Sequence, residues 1–450
     1  MKQSRKVRPD PARLTAFELL RAVWGEGAYA NLVMPKLIET HDLNPRDASF
    51  AVELGYGTLR MQGQYDAILV TLVNRPLNKI DPPLLDILRL GAHQILHMRV
   101  PDHAALNSTV DLAHYCVGPA SATLVNAVLR KVAGKSEAEW VEHLAPLATT
   151  PLVDRLAIEF SHPAWIIQAY LQRIFDETEL RELLAANNTP AAITLVARPG
   201  RCSVEDLIDQ GAKPGRYSPY AAIWEGDPAL LPQIRSGDAG VQDEGSQLVA
   251  LALTHFAAIA EGEMWLDLCA GPGGKAALLG AIAKTTGAKL LANEMSEHRA
   301  RLVYRTVDDQ VQVIVGDGLH PSWKGQSFDR VIADVPCTGL GALRRRPEAR
   351  WRKQPRDIAG LHPLQLGLFE SAYAALKPGG VMAYITCSPH LAETELLVSD
   401  GLERTGGELL DAKGLFEGVP DLGSGRTVQL WPHIHQTDAM FFALIRRPLR

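Results

Sequence analysis

Two cysteines stand where a nucleophile is useful. Cys337 lies in FDRVIADVPCTGLG and Cys387 in GGVMAYITCSPH, and each follows directly on an apolar run that reads as a buried strand. A lone cysteine is often just a small buried apolar residue. Two of them, at the ligand-facing ends of strands in one sheet and with Asp334 and Pro336 beside the first, describe a crevice with two sulfur nucleophiles and a carboxyl group. The residue types do not say which sulfur attacks.

A second constellation lies upstream. In MWLDLCAGPGGKAALLGAI a strand ends at Asp267 or Leu268, a turn follows, and a helix begins near Lys275. Gly271, Gly273 and Gly274 let backbone approach a ligand closely, and ligands of open α/β sheets bind at such strand ends. The turn is not a phosphate-binding loop, because Cys269 stands where its first glycine belongs and Ala276 follows the lysine; the dinucleotide spacing G-x-G-x-x-G is not met either. About 20 residues on, Glu294 ends the next strand in KLLANEM, placed to accept ribose hydroxyls, and Asp317 ends a third in VIVGDG, placed to contact an adenine ring. A ribose acceptor, an adenine contact and no phosphate cradle suit S-adenosylmethionine.

The two constellations make chemical sense together. Carbon 5 of cytosine is a poor nucleophile, and a thiolate added at carbon 6 turns it into an enamine-like carbon able to take a sulfonium methyl group. Attack is easier if a carboxylic acid engages ring nitrogen 3, a task for Asp334 if burial keeps it protonated. The attacking sulfur must then leave as the carbon 5 proton is lost, a step a second thiol could assist.

These groups need a scaffold. MWLDLCA, KLLANEM, VQVIVGD, DRVIADV and GGVMAYITC alternate with helical segments, the pattern of a doubly wound, mostly parallel sheet. Residues 190–235 read as a small α/β unit, with AAITLVARPG as a strand and VEDLIDQG as a helix. From Pro11 to Ala133 apolar residues recur at helical spacing, with Gly25, Gly27, Pro45, Gly55, Gly57, Pro76, Pro82-Pro83 and Pro101 as breakers. The expected division is a helical domain over 1–135, a helical connector over 136–185, the small α/β subdomain over 186–236 and the sheet domain over 237–450.

The 450 residues are 46% hydrophobic and 22% charged, an ordinary globular balance for several cores. Five cysteines, odd in number and without a CxxC pair, suggest reduced thiols and neither disulfides nor zinc. His433 and His435 lack acidic or thiol partners at ligand spacing, so a structural role is expected and no metal. The start MKQSRKVRPDPAR has no apolar stretch and no run reaches the roughly 18 apolar residues of a span, so a cytoplasmic chain without a membrane partner is expected. A net charge of -5 leaves nucleic-acid affinity to local basic groups. These are the arm with Lys2, Arg5, Lys6, Arg8 and Arg13, and the run RRRPEARWRKQPR, where Arg344, Arg345, Arg346, Arg350 and Trp351 would hold phosphates and stack on a base.

At these residues the chain resembles the RsmB (Sun/Fmu) family of ribosomal RNA cytosine-C5 methyltransferases. The resembling segments include QDEGSQLV, LDLCAGPGGK, DVPCTGLG, RRRPEARW, YITCSPHLAETE and TDAMFFALIRR, while RDASFAVELGYGTLR and LRLGAHQILHMRVPDHAALNSTVDLA resemble a NusB-like RNA-binding domain. The resemblance implies an all-α NusB-like domain followed by a Rossmann-like class I methyltransferase domain. It also implies Cys387 as nucleophile, Cys337 as the thiol that aids product release, and Cys269, Ala270, Gly271, Pro272, Gly273, Gly274, Lys275, Glu294, Asp317 and Asp334 as the cofactor site. S-adenosylhomocysteine would be the second product, small-subunit ribosomal RNA the substrate, and the chain a monomer. Two other readings stand beside it: a transfer RNA cytosine-C5 methyltransferase, and a non-catalytic RNA-binding assembly or antitermination adaptor.

Overall fold

Capping residues and prolines set the first helices. Asp10 accepts the Arg13 backbone N–H at 3.0 Å and Pro11 takes the first helical position, where its missing donor costs nothing. Asn44 and Pro45 repeat the device, and Pro82 opens the helix Pro82–Leu96. In the computed structural model, which describes residues 9–449, the helices Pro11–Gly25, Ala30–Thr40, Pro45–Arg60, Gln62–Leu72, Pro82–Leu96, Asp102–Cys116 and Pro119–Val132 share one core. Lys2, Arg5, Lys6 and Arg8 of the expected basic arm lie outside the described residues. Leu19, Leu20, Leu54, Tyr65, Ile68, Ile87, Leu88 and Leu129 are fully buried there; each such aliphatic side chain contributes about 1.5–3 kcal/mol by leaving water.

Gly55 and Gly57 are not breakers. Both sit inside Pro45–Arg60, where an added Cβ would come within 2.7 Å of Leu19 Cδ2 or 2.2 Å of His93 Nε2. Close approach of neighbouring helices offsets the roughly 1 kcal/mol that a helical glycine costs. The connector continues the helical pattern in Glu137–Leu144, Leu152–Glu159, Ala164–Leu171 and Glu177–Asn188.

The chain divides into two units, and the first is discontinuous: it holds the residues up to Asn188 together with Leu343–Arg352. Within that unit Arg350 is fully buried and donates to the carbonyls of Arg60, Ser161 and Asn187 and to Asn188 Oδ1, over 2.8–3.2 Å. Trp351 Nε1 donates to Leu59 O at 2.8 Å while its ring covers Gly63, and Arg352 donates to the carbonyls of Val23 and Ala28. This corrects the expected nucleic-acid role of Arg350 and Trp351. The bonded donors of Arg350 end on backbone carbonyls and the Asn188 amide oxygen, that of Trp351 ends on a carbonyl and its ring is packed on Gly63, so neither presents its polar group or ring to a phosphate or a base. Arg344 is buried too, Arg345 is half-buried and Arg346 is exposed.

The second unit comprises Thr189–Ala342 and Lys353–Arg450. Its smaller sheet has β1 (Ile193–Ala197), β2 (Lys213–Pro214), β3 (Ala221–Trp224) and β4 (Ala239–Val241) in the antiparallel order β2-β3-β1-β4, so the small subdomain reaches past residue 236. The larger sheet has β5 (Met264–Asp267), β6 (Lys289–Glu294), β7 (Gln312–Val315), β8 (Phe328–Asp334), β9 (Leu376–Thr386), β10 (Glu408–Leu410), β11 (Val428–Gln429) and β12 (Phe441–Arg446). Its order is β10-β12-β9-β8-β5-β6-β7, with β11 on β12; β5 to β9 pair in parallel, and β12 is antiparallel to β9, β10 and β11. The strand order reverses at β5, which opens a crevice at the carboxyl ends of β5 and β8. Among the described residues no helix is long and apolar enough to cross a membrane.

Candidate active site

Asp267 ends β5, Glu294 ends β6, Asp334 ends β8, and Cys387 comes one residue after β9, all at the same end of a parallel set. Cys337 follows Asp334 by three residues, and its Sγ lies 3.3 Å from Cys387 Sγ. The loop beyond it is pinned: Gly341 N–H donates to Cys387 O at 2.9 Å, and a Cβ at Gly341 would sit 2.1 Å from Ala439 O. No side chain other than glycine's hydrogen fits there.

Lys275, in the first turn of the helix Gly274–Thr286, places Nζ 2.7 Å from Asp334 Oδ2. Burial disfavours its charge, yet Asp334, Cys387 and Asp267 together more than offset this and raise its pKa. Asp334 is therefore paired with a cation instead of standing as a lone acid. Cys337 is driven well above the ordinary thiol range by its hydrogen bond to Cys387, by burial, and by the negative charges of Glu393 and Asp334. Burial and then Asp334 push Asp267 up to about 7. The Cys269 thiol is raised by burial and by the same acids, which makes it unreactive.

At the turn, Gly273 has φ +118° and caps the following helix. Glu294 is buried and accepts the N–H of Gly271 at 3.0 Å and of Ser296 at 2.9 Å, with Arg299 3.6 Å away. Asp317, just past β7, accepts the Leu319 N–H and pairs with His320, both at 2.9 Å. His435 is held by Trp431 N–H and Pro420 O, in keeping with a structural role. Among the described residues no cluster of three or more His, Cys, Asp or Glu is arranged to hold a metal.

A family model described as 16S rRNA methyltransferase RsmB/F matches residues 255–446, and the NusB family model matches residues 10–134. A Mycobacterium tuberculosis protein named only as a candidate methyltransferase is 48% identical over 97% of both chains. The ribosomal RNA small subunit methyltransferase B of Vibrio cholerae is 32% identical, covering 90% of this chain and 91% of its own. The chain belongs to the RsmB/F methyltransferase family. The solved structure of PH0851 shares its fold, with TM-score 0.82 and 22% identity over 98% of this chain and 100% of that one.

RsmB/F membership implies S-adenosylmethionine, and the residues present fit it. Buried Asp267 Oδ1, Asn293 Oδ1 and Gln242 Oε1 accept no hydrogen bond from any described residue. Asp267 and Asn293 lie on β5 and β6, and Gln242 packs against Gly274. A ligand carrying an ammonium, ribose hydroxyls and an adenine amino group supplies donors for such acceptors. Asp267, Gln242 and Asn293 were not singled out from the sequence, although Asp267 ends the strand that leads into the turn. Glu393 entered the sequence reading only as part of the resembling segment YITCSPHLAETE, with no role assigned to its carboxylate.

Proposed function

We propose that this chain methylates carbon 5 of a cytosine in small-subunit ribosomal RNA, with S-adenosylmethionine as donor and Cys387 as covalent nucleophile. The observation that carries this reading is the 3.3 Å contact between Cys337 and Cys387 beside the Lys275–Asp334 pair, at the strand ends that flank the glycine turn. The names of the family and of the Vibrio cholerae relative support ribosomal RNA as the substrate.

The surroundings favour Cys387 as the attacking sulfur. Cys337 is held as a thiol, a poor nucleophile, whereas Cys387 lies close enough to the Lys275 ammonium to interact with it. Bound donor supplies an electrophilic methyl group. Cys387 Sγ adds to carbon 6 of the flipped cytosine, and the Lys275–Asp334 pair delivers a hydrogen bond or proton to ring nitrogen 3, which leaves carbon 5 electron-rich. After methylation the carbon 5 proton is lost, and Cys337 assists departure of the Cys387 sulfur by hydrogen-bonding to it. Asp267, Asn293, Gln242, Glu294 and Asp317 would hold the donor.

Bisulfite sequencing of total RNA from cells with and without the protein tests the substrate: a small-subunit cytosine should lose its methyl mark. A mark lost from transfer RNA instead would redirect the reading, and no lost mark would favour the adaptor. For the chemistry, Cys387→Ala should abolish methylation and Cys337→Ala should accumulate a protein–RNA adduct that survives denaturation; full activity in Cys387→Ala would refute the nucleophile.

A further inference from the structure

Glu393 is completely buried, and no cation pairs with its carboxylate among the described residues. Four donors surround it instead. Oε1 accepts Thr338 N–H at 2.8 Å and Gln365 Nε2 at 3.1 Å; Oε2 accepts the hydroxyls of Thr338 at 2.5 Å and Ser388 at 2.6 Å. With four bonds accepted, the carboxylate has little capacity left to act on substrate. Its donors are informative in another way: Thr338 is the neighbour of Cys337, and Ser388 is the neighbour of Cys387. The two hydroxyls lie 3.2 Å apart, and Gln365 also donates to Pro336 O at 2.9 Å, on the other side of Cys337. Tyr384 of β9 donates its hydroxyl to Glu393 O at 3.0 Å, which anchors the residue to the strand that carries Cys387. One buried anion thus ties together the two loops whose sulfurs touch.

We propose that Glu393 is a positioning residue for adduct resolution: by gripping Thr338 and Ser388 it holds the Cys337 S–H against the Cys387 sulfur, so that this sulfur is expelled once methyl transfer is complete. The proposal rests on the covalent reading above. In resolution the carbon 5 proton passes to water and its electron pair forms the carbon 5–carbon 6 double bond. The carbon 6–sulfur bond breaks and its pair returns to Cys387, where the Cys337 S–H stabilises the departing thiolate by a hydrogen bond. The negative charge of Glu393 also keeps Cys337 protonated, as that donor role needs.

The test compares full-length wild type, Cys337→Ala, Cys387→Ala, Glu393→Gln, Thr338→Val and Ser388→Ala. Small-subunit ribosomal RNA from cells lacking the protein serves as substrate, with turnover, denaturant-resistant adduct, RNA and donor affinity, and melting temperature as readouts. Glu393→Gln preserves volume; turnover should fall about 10- to 100-fold while affinities hold and the adduct fraction rises above wild type, as in Cys337→Ala. Thr338→Val and Ser388→Ala should move the same way by less, and they carry the test if Glu393→Gln does not fold. A purely structural role would lower turnover and adduct together with melting temperature, and that result, or unchanged turnover, overturns the proposal. If Cys337→Ala accumulates adduct and none of the Glu393-network variants does, Glu393 alone is refuted. If Cys337→Ala forms none, the covalent reading itself has failed.

Discussion

The Arg350 guanidinium in the helical unit and the Lys275 ammonium in the α/β unit are both buried cations, yet their surroundings differ. Arg350 sits among neutral acceptors, three backbone carbonyls and one amide oxygen, and burial pushes its pKa down to about 9, with Arg60 adding to the shift. Lys275 sits against Asp334, with Asp267 and Cys387 close by, and the balance favours its charge. Arg350 donates to each of its four acceptors. In the unit that holds Lys275, the buried acceptors Asp267 Oδ1, Asn293 Oδ1 and Gln242 Oε1 have no donor among the described residues. Burial and charge alone do not distinguish scaffolding from chemistry; where the hydrogen bonds end does.

The most severe way to break this contrast is Lys275→Met. Without its ammonium, Asp334 and Asp267 face each other uncompensated and Cys387 loses its cation. Methylation should fall about 100-fold or more, and alkylation of Cys387 by iodoacetamide should slow; unchanged alkylation would mean that the lysine does not act on the sulfur. Arg350→Ala should act on the other side of the contrast. It strands carbonyls that had a donor, which should cost about 2–4 kcal/mol of stability. Thermal melting would report this while calorimetric donor binding stays intact, and a loss of donor binding at full stability would contradict the structural role.

A pH-dependent effect should come from Asp267→Asn. Held at about 7 in the folded chain against an ordinary 3.8, Asp267 carries a proton between roughly pH 4 and 7 that the unfolded chain lacks. Its contribution to stability is therefore greatest in acid and declines as pH rises through that window. The asparagine variant cannot ionise, so its melting temperature should draw ahead of wild type from pH 4 to 7 and keep a constant lead above, worth up to about 4 kcal/mol, while donor affinity drops. A lead that does not vary with pH would remove the ionisation argument.

Much of the catalytic unit was legible because its signals are local. The strands β5 to β9 were marked by apolar runs with glycine, acid or cysteine at their ends, and those end residues lie along the same edge of the parallel strands. The antiparallel strands β10 to β12 were not, since short strands after a helix carry no periodic signal of their own. The basic run misled for a similar reason: RRRPEARW is the same string whether its guanidinium groups meet phosphate or a ring of carbonyls, and only tertiary structure shows Arg350 enclosed. Gly55 and Gly57 were read as punctuation because a glycine that ends a helix and one that admits a neighbouring helix look alike. What Glu393 holds was hidden because its partners Thr338 and Gln365 lie 55 and 28 residues away along the chain.

The return of Leu343–Arg352 to the helical unit also sets a timetable for biosynthesis. Domains generally fold as they leave the ribosome, the first one earliest, but here the carbonyls of Arg60, Ser161 and Asn187 must wait for Arg350 to be translated. The leading domain of the nascent chain can be only provisionally formed until the segment just past Cys337 has emerged, so its completion coincides with the appearance of the first of the two paired thiols.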